Sequence, residues 1–301
     1  MREKPANARN YLYILVGGLF LVALAVVLGF SFLNTEGCVG VVEIKGELTS
    51  ADSDATLFSD AVKGSGTYAA EIEEAEARPD VKSILLLIES PGGSIVASRE
   101  IYEAVKNASK PKVAYIDELA ASGGYYAAMP TDYIVINPNA LTGSIGAIIT
   151  LQDMSGLFEK VGYNMTSIVS GEKKDMGSPG RQMSGSERAI LQSIVDESFG
   201  EFRSSILESR GSRLNMTGFE AALDGRILSG RQARRIGLVD ELGNRKQAVE
   251  KAAKLGGIKG EPRICEISAS EGRRGMFSSL ASQMAHALVG AQSQAYSVNY
   301  K

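Results

Sequence analysis

Histidine is nearly absent. The 301 residues hold one, His286, in a weakly patterned C-terminal stretch. A hydrolase built on a serine–histidine pair, or a zinc site built on imidazoles, has almost nothing to draw on. Cysteine is scarce too: Cys38 and Cys265 form no CxxC or other metal-ligand spacing with the lone histidine. That argues against a structural zinc and against a disulfide framework, and leaves a single Cys38–Cys265 bridge open. No excess of positive charge exists either, and a formal net charge of −3 gives no reason to expect a nucleic-acid partner.

Long apolar runs are also missing after residue 33, which gives weight to the one before it. "YLYILVGGLFLVALAVVLGFSFL", Tyr11 to Leu33, is 23 uncharged, mostly apolar residues. At about 1.5 Å per residue it crosses a hydrocarbon layer of roughly 30 Å with some tilt. Arg2, Lys4 and Arg9 precede it and Glu36 is the first charge after it, so the positive-inside rule leaves the N-terminus in the cytoplasm and the rest outside. A cleaved signal peptide fits less well, because the run exceeds the usual length of about 7–15 residues and no small-x-small site follows. "LNTEGC" before Cys38 is a poor lipoprotein signal, having Glu36 where a small or apolar residue is wanted. The expected division is a cytoplasmic stretch (1–10), a single-pass anchor in the lipid of the cell membrane (11–33), one globular domain (34–270) and a tail (271–301). In the tail Met276, Phe277, Leu280, Met284 and Leu288 recur at helical spacing, which fits a docking helix or a disordered end.

Within the globular part, "VGVVEIKGEL" (39–48) alternates as a strand with a turn at Gly46. A polar loop follows, then a charged helix over about 67–77 that stops before Arg78-Pro79. "VKSILLLIES" is a continuous apolar run of strand length, suited to a strand buried on both faces of a parallel sheet. A helix after Ser94 carries Ile95, Ser98, Ile101, Tyr102 and Val105 at helical spacing; "KVAYID" and "DYIVINP" read as further strands, and "LTGSIGAIITLQD" as a glycine-punctuated turn into another. The alternation predicts an α/β layer architecture with right-handed crossovers. From Ser184 a long amphipathic helix is expected. Ser184 and Glu187 match a capping box, Ile190, Leu191, Ile194, Val195, Phe199, Phe202 and Ile206 form an apolar face, and Gly211 is the stop. Thr217 with Glu220 fits a second box, and "SGRQARRIGLVDELG" reads as a helix, a glycine cap and a short strand before a helix from Asn244. No internal repeat is visible.

Three turns follow apolar strands, where α/β folds place their ligands. "ESPGGS" (89–94) puts two glycines at the start of a helix, where backbone N–H groups and the helix dipole suit an oxyanion; a plain strand-to-helix turn also uses glycine there. In "ASGG", Ser122 stands at a helix N-terminus, which favours a nucleophile but is also the ordinary place for an N-cap serine. "SGEKKDMGSPGR" (170–181) carries two adjacent lysines and reads equally as a solvated loop. For a lysine there to act as a base it must be neutral, which from a reference pKa near 10.4 costs roughly 4.6 kcal/mol at pH 7. Burial or a nearby cation has to supply that.

Taken together, "SPGG … ASGGYY … TGSIG … SGEKKDMGSP", in this order, resembles the signal peptide peptidase A (SppA) family, serine–lysine proteases of the ClpP/crotonase superfamily. The likeness runs from about Val39 to Ile258 and includes "GRILSGRQARRIGLVDELG". It implies a ClpP/crotonase-like fold of repeated ββα units with a mostly parallel sheet, preceded by one transmembrane helix. It also implies that Ser122 is the nucleophile, that Lys174 is the general base with Lys173 as its off-by-one neighbour, and that the Ser144 hydroxyl orients the lysine amine. The N–H groups of Gly93 and Gly123 would form the oxyanion hole, and no metal or other cofactor is implied. Asp175 reads as an ion-pair partner within the loop. Longer members of that family hold two tandem copies of the domain; this chain has one, which implies a ring-forming homo-oligomer in which the catalytic groups assemble, with serine and lysine from one protomer or from adjacent ones. The implied substrates are remnant signal peptides and other short or extended hydrophobic peptides. A related reading is a membrane protease that cleaves stomatin-like tails, but such proteins usually carry further C-terminal membrane segments. A non-catalytic scaffold sits poorly with the intact serine, lysine and glycine set, and a crotonase-type CoA enzyme rests on fold alone.

Overall fold

The apolar run Ser83–Ile88 forms the centre of the fold. In the computed structural model, which describes residues 17–18, 37–55 and 61–268, it lies in strand β2 (Val81–Gly93). That strand is paired in parallel with β1 (Cys38–Leu48) on one side and β3 (Lys112–Ala121) on the other. Neighbours on both edges and helices on both faces leave it no side open to water, and all six residues are buried.

Successive side chains of a strand point to opposite faces, so the sheet divides the interior in two. On one face Val42, Ile44, Leu86 and Ile88 pack beneath α1 (Ser65–Ala77), α2 (Ile95–Asn107), α3 (Gly123–Ala128) and the C-terminal part of α5 (Gly185–Arg210). On the other, Val39, Val41, Leu85, Leu87 and Val113 meet Ala248, Val249 and Ala252 of α8 (Arg245–Leu255). Among the described residues the sheet has eight strands. Strand β3 pairs twice, its first half with β4 (Tyr133–Ile136) and its last residues with β5 (Leu141–Gly143). Strand β6 (Ile227–Ser229) joins β5 antiparallel, β7 (Glu241–Leu242) joins β4, and β8 (Arg263–Glu266) closes the far edge on β1. All pairings but β5–β6 are parallel, which is the α/β class expected from the alternation of elements.

Local signals hold at most boundaries. Helix α1 ends at Arg78, before the proline, and the Ser184–Glu187 capping box opens α5, which Gly211 closes. Helix α7 (Gly230–Ile236) ends on Gly237 in the left-handed conformation, and Asn244 caps α8. Gly46 makes a bulge rather than a turn: with φ +74 it shifts the β1–β2 register while the strand continues to Leu48. Helix α6 (Met216–Glu220) is capped by Asn215, whose side chain accepts from the Gly218 N–H, in place of the expected Thr217 box. "LTGSIGAIITLQD" forms a strand only over 141–143, and residues 144–153 join no strand among the described residues. The apolar stripe of α5 is likewise used only in its C-terminal part, where Phe202 and Ile206 are buried while Ile190 and Ile194 are exposed.

The cysteine question resolves as a bond, since Cys38 and Cys265, 227 residues apart in sequence, are joined as a disulfide. It ties the first residue of β1 to the edge strand β8. Residues 11–33, the expected anchor, lie outside the described residues except for Gly17 and Gly18, as does the tail from 269. Among the described residues no helix is long and apolar enough to cross a membrane.

Candidate active site

Strand β3 runs out at Ala121, and the next residue turns the chain sharply into α3. Ser122 has φ +50 and ψ −120, a conformation that L-residues other than glycine rarely adopt. Two hydrogen bonds hold it there: its N–H donates to the Gly143 carbonyl at 2.8 Å, and its carbonyl accepts from the Tyr126 N–H at 2.9 Å. Backbone held this way costs on the order of 1–3 kcal/mol and persists where its surroundings impose it. The side chain does not cap the helix it precedes. Ser122 therefore starts α3 with its backbone and leaves its hydroxyl, half-buried, at the wall of a small open cavity of about 40 Å³.

Gly93 and Gly123 line the same cavity. The two turns that carry them pack so closely that glycine is obligatory: a Cβ on Gly92, at φ +96, would stand 2.6 Å from the Gly123 nitrogen. A Cβ on Gly123 would stand 2.1 Å from the Ser98 Oγ. Because Gly123 opens α3, its N–H has no acceptor within the helix. Buried Ser90 fixes the other turn, donating from Oγ to the Gly46 carbonyl at 2.6 Å and accepting from the Gly92 N–H at 3.1 Å. Ser98 ties α2 to the same turn, donating to the Ser94 carbonyl at 2.8 Å. Neither serine stands out in the sequence as part of the site. For Ser98 the legible signal is its place one helical turn after Ser94.

Ser144 also has a positive φ, +51, and among the described residues Ser122 and Ser144 are the two non-glycine residues in that region. Its N–H donates to the Arg226 carbonyl at 2.9 Å, one residue beyond the Gly143 carbonyl that holds Ser122. Both predicted serines are thus set by one short strand. Ser144 is half-buried and does not line the Ser122 cavity.

Lys174 stands apart. It is exposed, does not line the cavity, and makes no side-chain hydrogen bond or ion pair among the described residues. Lys173 differs, since its Nζ binds Glu172 at 2.9 Å and the Ser186 hydroxyl at 2.8 Å. Asp175 is the ion-pair partner expected of it: Arg181 grips it through Nε and Nη2 at 3.0 and 2.7 Å. The same guanidinium reaches Glu187 at 2.6 and 2.9 Å, so the lysine loop is clamped to the first turn of α5. Hydrogen bonds from Arg181, then the Ser184 N–H, hold the Glu187 carboxyl down to about 2, and Arg181 lowers Asp175.

A carboxyl depressed in the fold stabilises it above the unfolded value, near 4.3 for Glu, and that contribution is lost as pH falls through the folded value. The clamp should therefore release between about pH 4 and pH 2. Protection over 170–183, taken against the intrinsic exchange rate at each pH, should fall across that window, and in Arg181→Ala it should already be low at neutral pH. Equal protection in the two proteins at pH 7 would show that the clamp does not hold the loop.

A strained serine at a strand-to-helix turn, two glycine turns beside its hydroxyl and a mostly parallel sheet behind it define a serine peptidase of ClpP-like architecture. Comparison with known proteins gives the same class. The model of peptidase family S49 matches residues 104–259, and that of Clp protease matches residues 64–141. A candidate protease of Methanocaldococcus jannaschii is 36% identical over 73% of this chain and 70% of its own length. A candidate signal peptide peptidase SppA of Enterococcus faecium is 32% identical over 67% of this chain and 59% of its own length. Protease 4 of Salmonella typhi is 32% identical over 65% of this chain and 32% of its own length. The chain belongs to peptidase family S49.

Proposed function

We propose that this serine peptidase is a membrane-anchored endopeptidase in which Ser122 is the nucleophile and Lys174 the general base. The observation that carries the reading is the Ser122 backbone, strained and held from both sides, with its hydroxyl spared from capping and set beside Gly93 and Gly123. Neutral Lys174 takes the hydroxyl proton as Ser122 Oγ bonds to the scissile carbonyl carbon. The carbonyl electrons move onto oxygen, where the Gly93 and Gly123 N–H groups receive them. Collapse of this intermediate breaks the C–N bond, and the leaving amine takes the proton from Lys174. Water, deprotonated by Lys174, then attacks the ester and releases the acid, and Ser122 recovers its proton. Ser144 orients the lysine amine. Such a pair is an established variant of triad logic and has no need of histidine.

A lysine base must be stripped of solvent, and Lys174 is exposed in one chain. The segment that carries it exposes Ile148 (81%), Val161 (67%) and Ile168 (100%), continued by Ile190 and Ile194 on α5. An apolar surface of this kind marks an interaction site, and a neighbouring copy in a ring is the occupant that would cover it and bring Lys174 to the next Ser122. Anchoring through residues 11–33, with the peptidase domain outside the cytoplasm, is supported by the sequence and by the Cys38–Cys265 disulfide, a bond that persists in oxidising compartments. Substrates delivered from the bilayer, remnant signal peptides and other short hydrophobic peptides, suit that position. The test is mass-spectrometric mapping of the adduct formed by a serine-reactive peptide inhibitor. The adduct should sit on Ser122, vanish in Ser122→Ala, and form about 100-fold more slowly in Lys174→Ala. An adduct on another serine overturns the assignment.

A further inference from the structure

The cavity beside Ser122 has three helical walls. Ile95, Ser98 and Arg99 come from one face of α2, Tyr126 from the turn of α3 after Ser122, and Glu201 and Phe202 from α5. Most of its wall suits an apolar guest: Ile95 is exposed to it, and the Tyr126 and Phe202 rings pack edge to face at 4.8 Å behind it. Two charges share this lining, and they are spent on each other, since the Arg99 guanidinium pairs with the Glu201 carboxylate across the gap between α2 and α5. Each is held from a second side as well. Arg99 Nε donates to Glu103 Oε1 at 2.8 Å, and the Tyr126 hydroxyl donates to Glu201 Oε1 at 3.3 Å.

We propose that the Arg99–Glu201 ion pair determines side-chain selectivity in this cavity, admitting uncharged side chains and rejecting both signs of charge. The inference rests on the reading of Ser122 as nucleophile. A peptide whose scissile carbonyl lies between Ser122, Gly93 and Gly123 drops the side chain of that same residue into the cavity those residues line. An acidic side chain there meets Glu201 and a guanidinium already engaged; a basic one meets Arg99 and a carboxylate already engaged. Either must leave water without gaining a free partner, or break a pair whose survivor is then left unmatched. An apolar side chain displaces only water from Ile95, Tyr126 and Phe202. Specificity of this kind is built from rejection as much as attraction.

The test is a peptide series that varies only this side chain among leucine, glutamate and lysine, with kcat/KM measured for wild type, Arg99→Met, Glu201→Gln and Glu250→Gln. Arg99→Met leaves the Glu201 carboxylate facing the cavity and should raise the lysine-to-leucine ratio at least about tenfold. Glu201→Gln frees guanidinium donors and should raise the glutamate-to-leucine ratio by a similar factor, about tenfold. Glu250→Gln, on α8 across the sheet from the cavity, should leave both ratios at wild-type values. The exchanged pair, Arg99→Glu with Glu201→Arg, should restore the preference for leucine and guards against variants that merely unfold. If wild type cleaves the series through Ser122 and all variants keep its ratios, the selectivity proposal is wrong. If wild type and Ser122→Ala cleave alike, the reading of the nucleophile fails instead.

Discussion

An equimolar mixture of Ser122→Ala and Lys174→Ala chains, each inactive alone, should recover about one quarter of wild-type peptidase activity once subunits exchange. The figure follows from geometry. Ser122 sits at the end of β3 in a rigid, buried frame, whereas Lys174 is exposed on a loop clamped to the N-terminal end of α5 and lines no part of the Ser122 cavity. If each site in a closed ring takes its serine from one protomer and its lysine from the next, half of the serine positions and half of the lysine positions are intact. Random assembly then makes about one site in four complete. If both groups acted within one chain, every site in the mixture would carry one defect and activity would stay at background. Peptide turnover against mixing ratio separates these cases, with a maximum at equal proportions expected for the ring. Substituting Ile168 or Val161 by aspartate on the exposed apolar segment should lower both the assembled fraction and the activity, because a charge there opposes burial against a neighbour.

Features that depend on one segment of chain were legible in the sequence. The uninterrupted apolar run of β2 announced a strand covered on both faces, the Ser184–Glu187 box placed the start of α5, and α8 follows Asn244 as expected. Ser122 could be singled out, yet whether its hydroxyl caps the helix or stays free was not resolvable, since a spacing cannot say. The positive φ of Ser122 and Ser144 comes from hydrogen bonds to residues distant in sequence, as with the Arg226 carbonyl on Ser144, and leaves no local trace. The same limit explains the misplaced cap of α6. Asn215 and Thr217 are both cap-forming types two residues apart, and asparagine is the stronger of the two. The apolar residues of 144–153 read as a strand, and the structure forms none there. Ile190 and Ile194 extended a correct amphipathic stripe past the end of the core. In both places a periodicity reports which residues are apolar and cannot say whether another element lies against them.

Replacing Cys38 or Cys265 by serine should lower global stability by about 2–4 kcal/mol, which for a domain of this size moves the thermal midpoint by roughly 5–15 °C. The bond closes a loop of 227 residues, nearly the whole domain, so it restricts the unfolded chain far more than a short loop would. It also acts locally. Strand β8 has four residues and pairs only along Cys38–Val41 of β1, and its outer residues are exposed. Without the bond the edge of the sheet at the entry to the domain depends on those few backbone hydrogen bonds and on Ile267 packed against the core. Hydrogen exchange in β8 should therefore rise before that in β2, and wild type treated with a thiol reductant should reproduce the serine variants. Peptidase activity at a temperature well below the lowered midpoint should be preserved, because Ser122 is held by β3, β5 and α3, none of which touches the bond. A midpoint unchanged by reductant would mean the cysteines are not joined in the folded protein. That result would also withdraw the main structural support for placing the domain in an oxidising compartment.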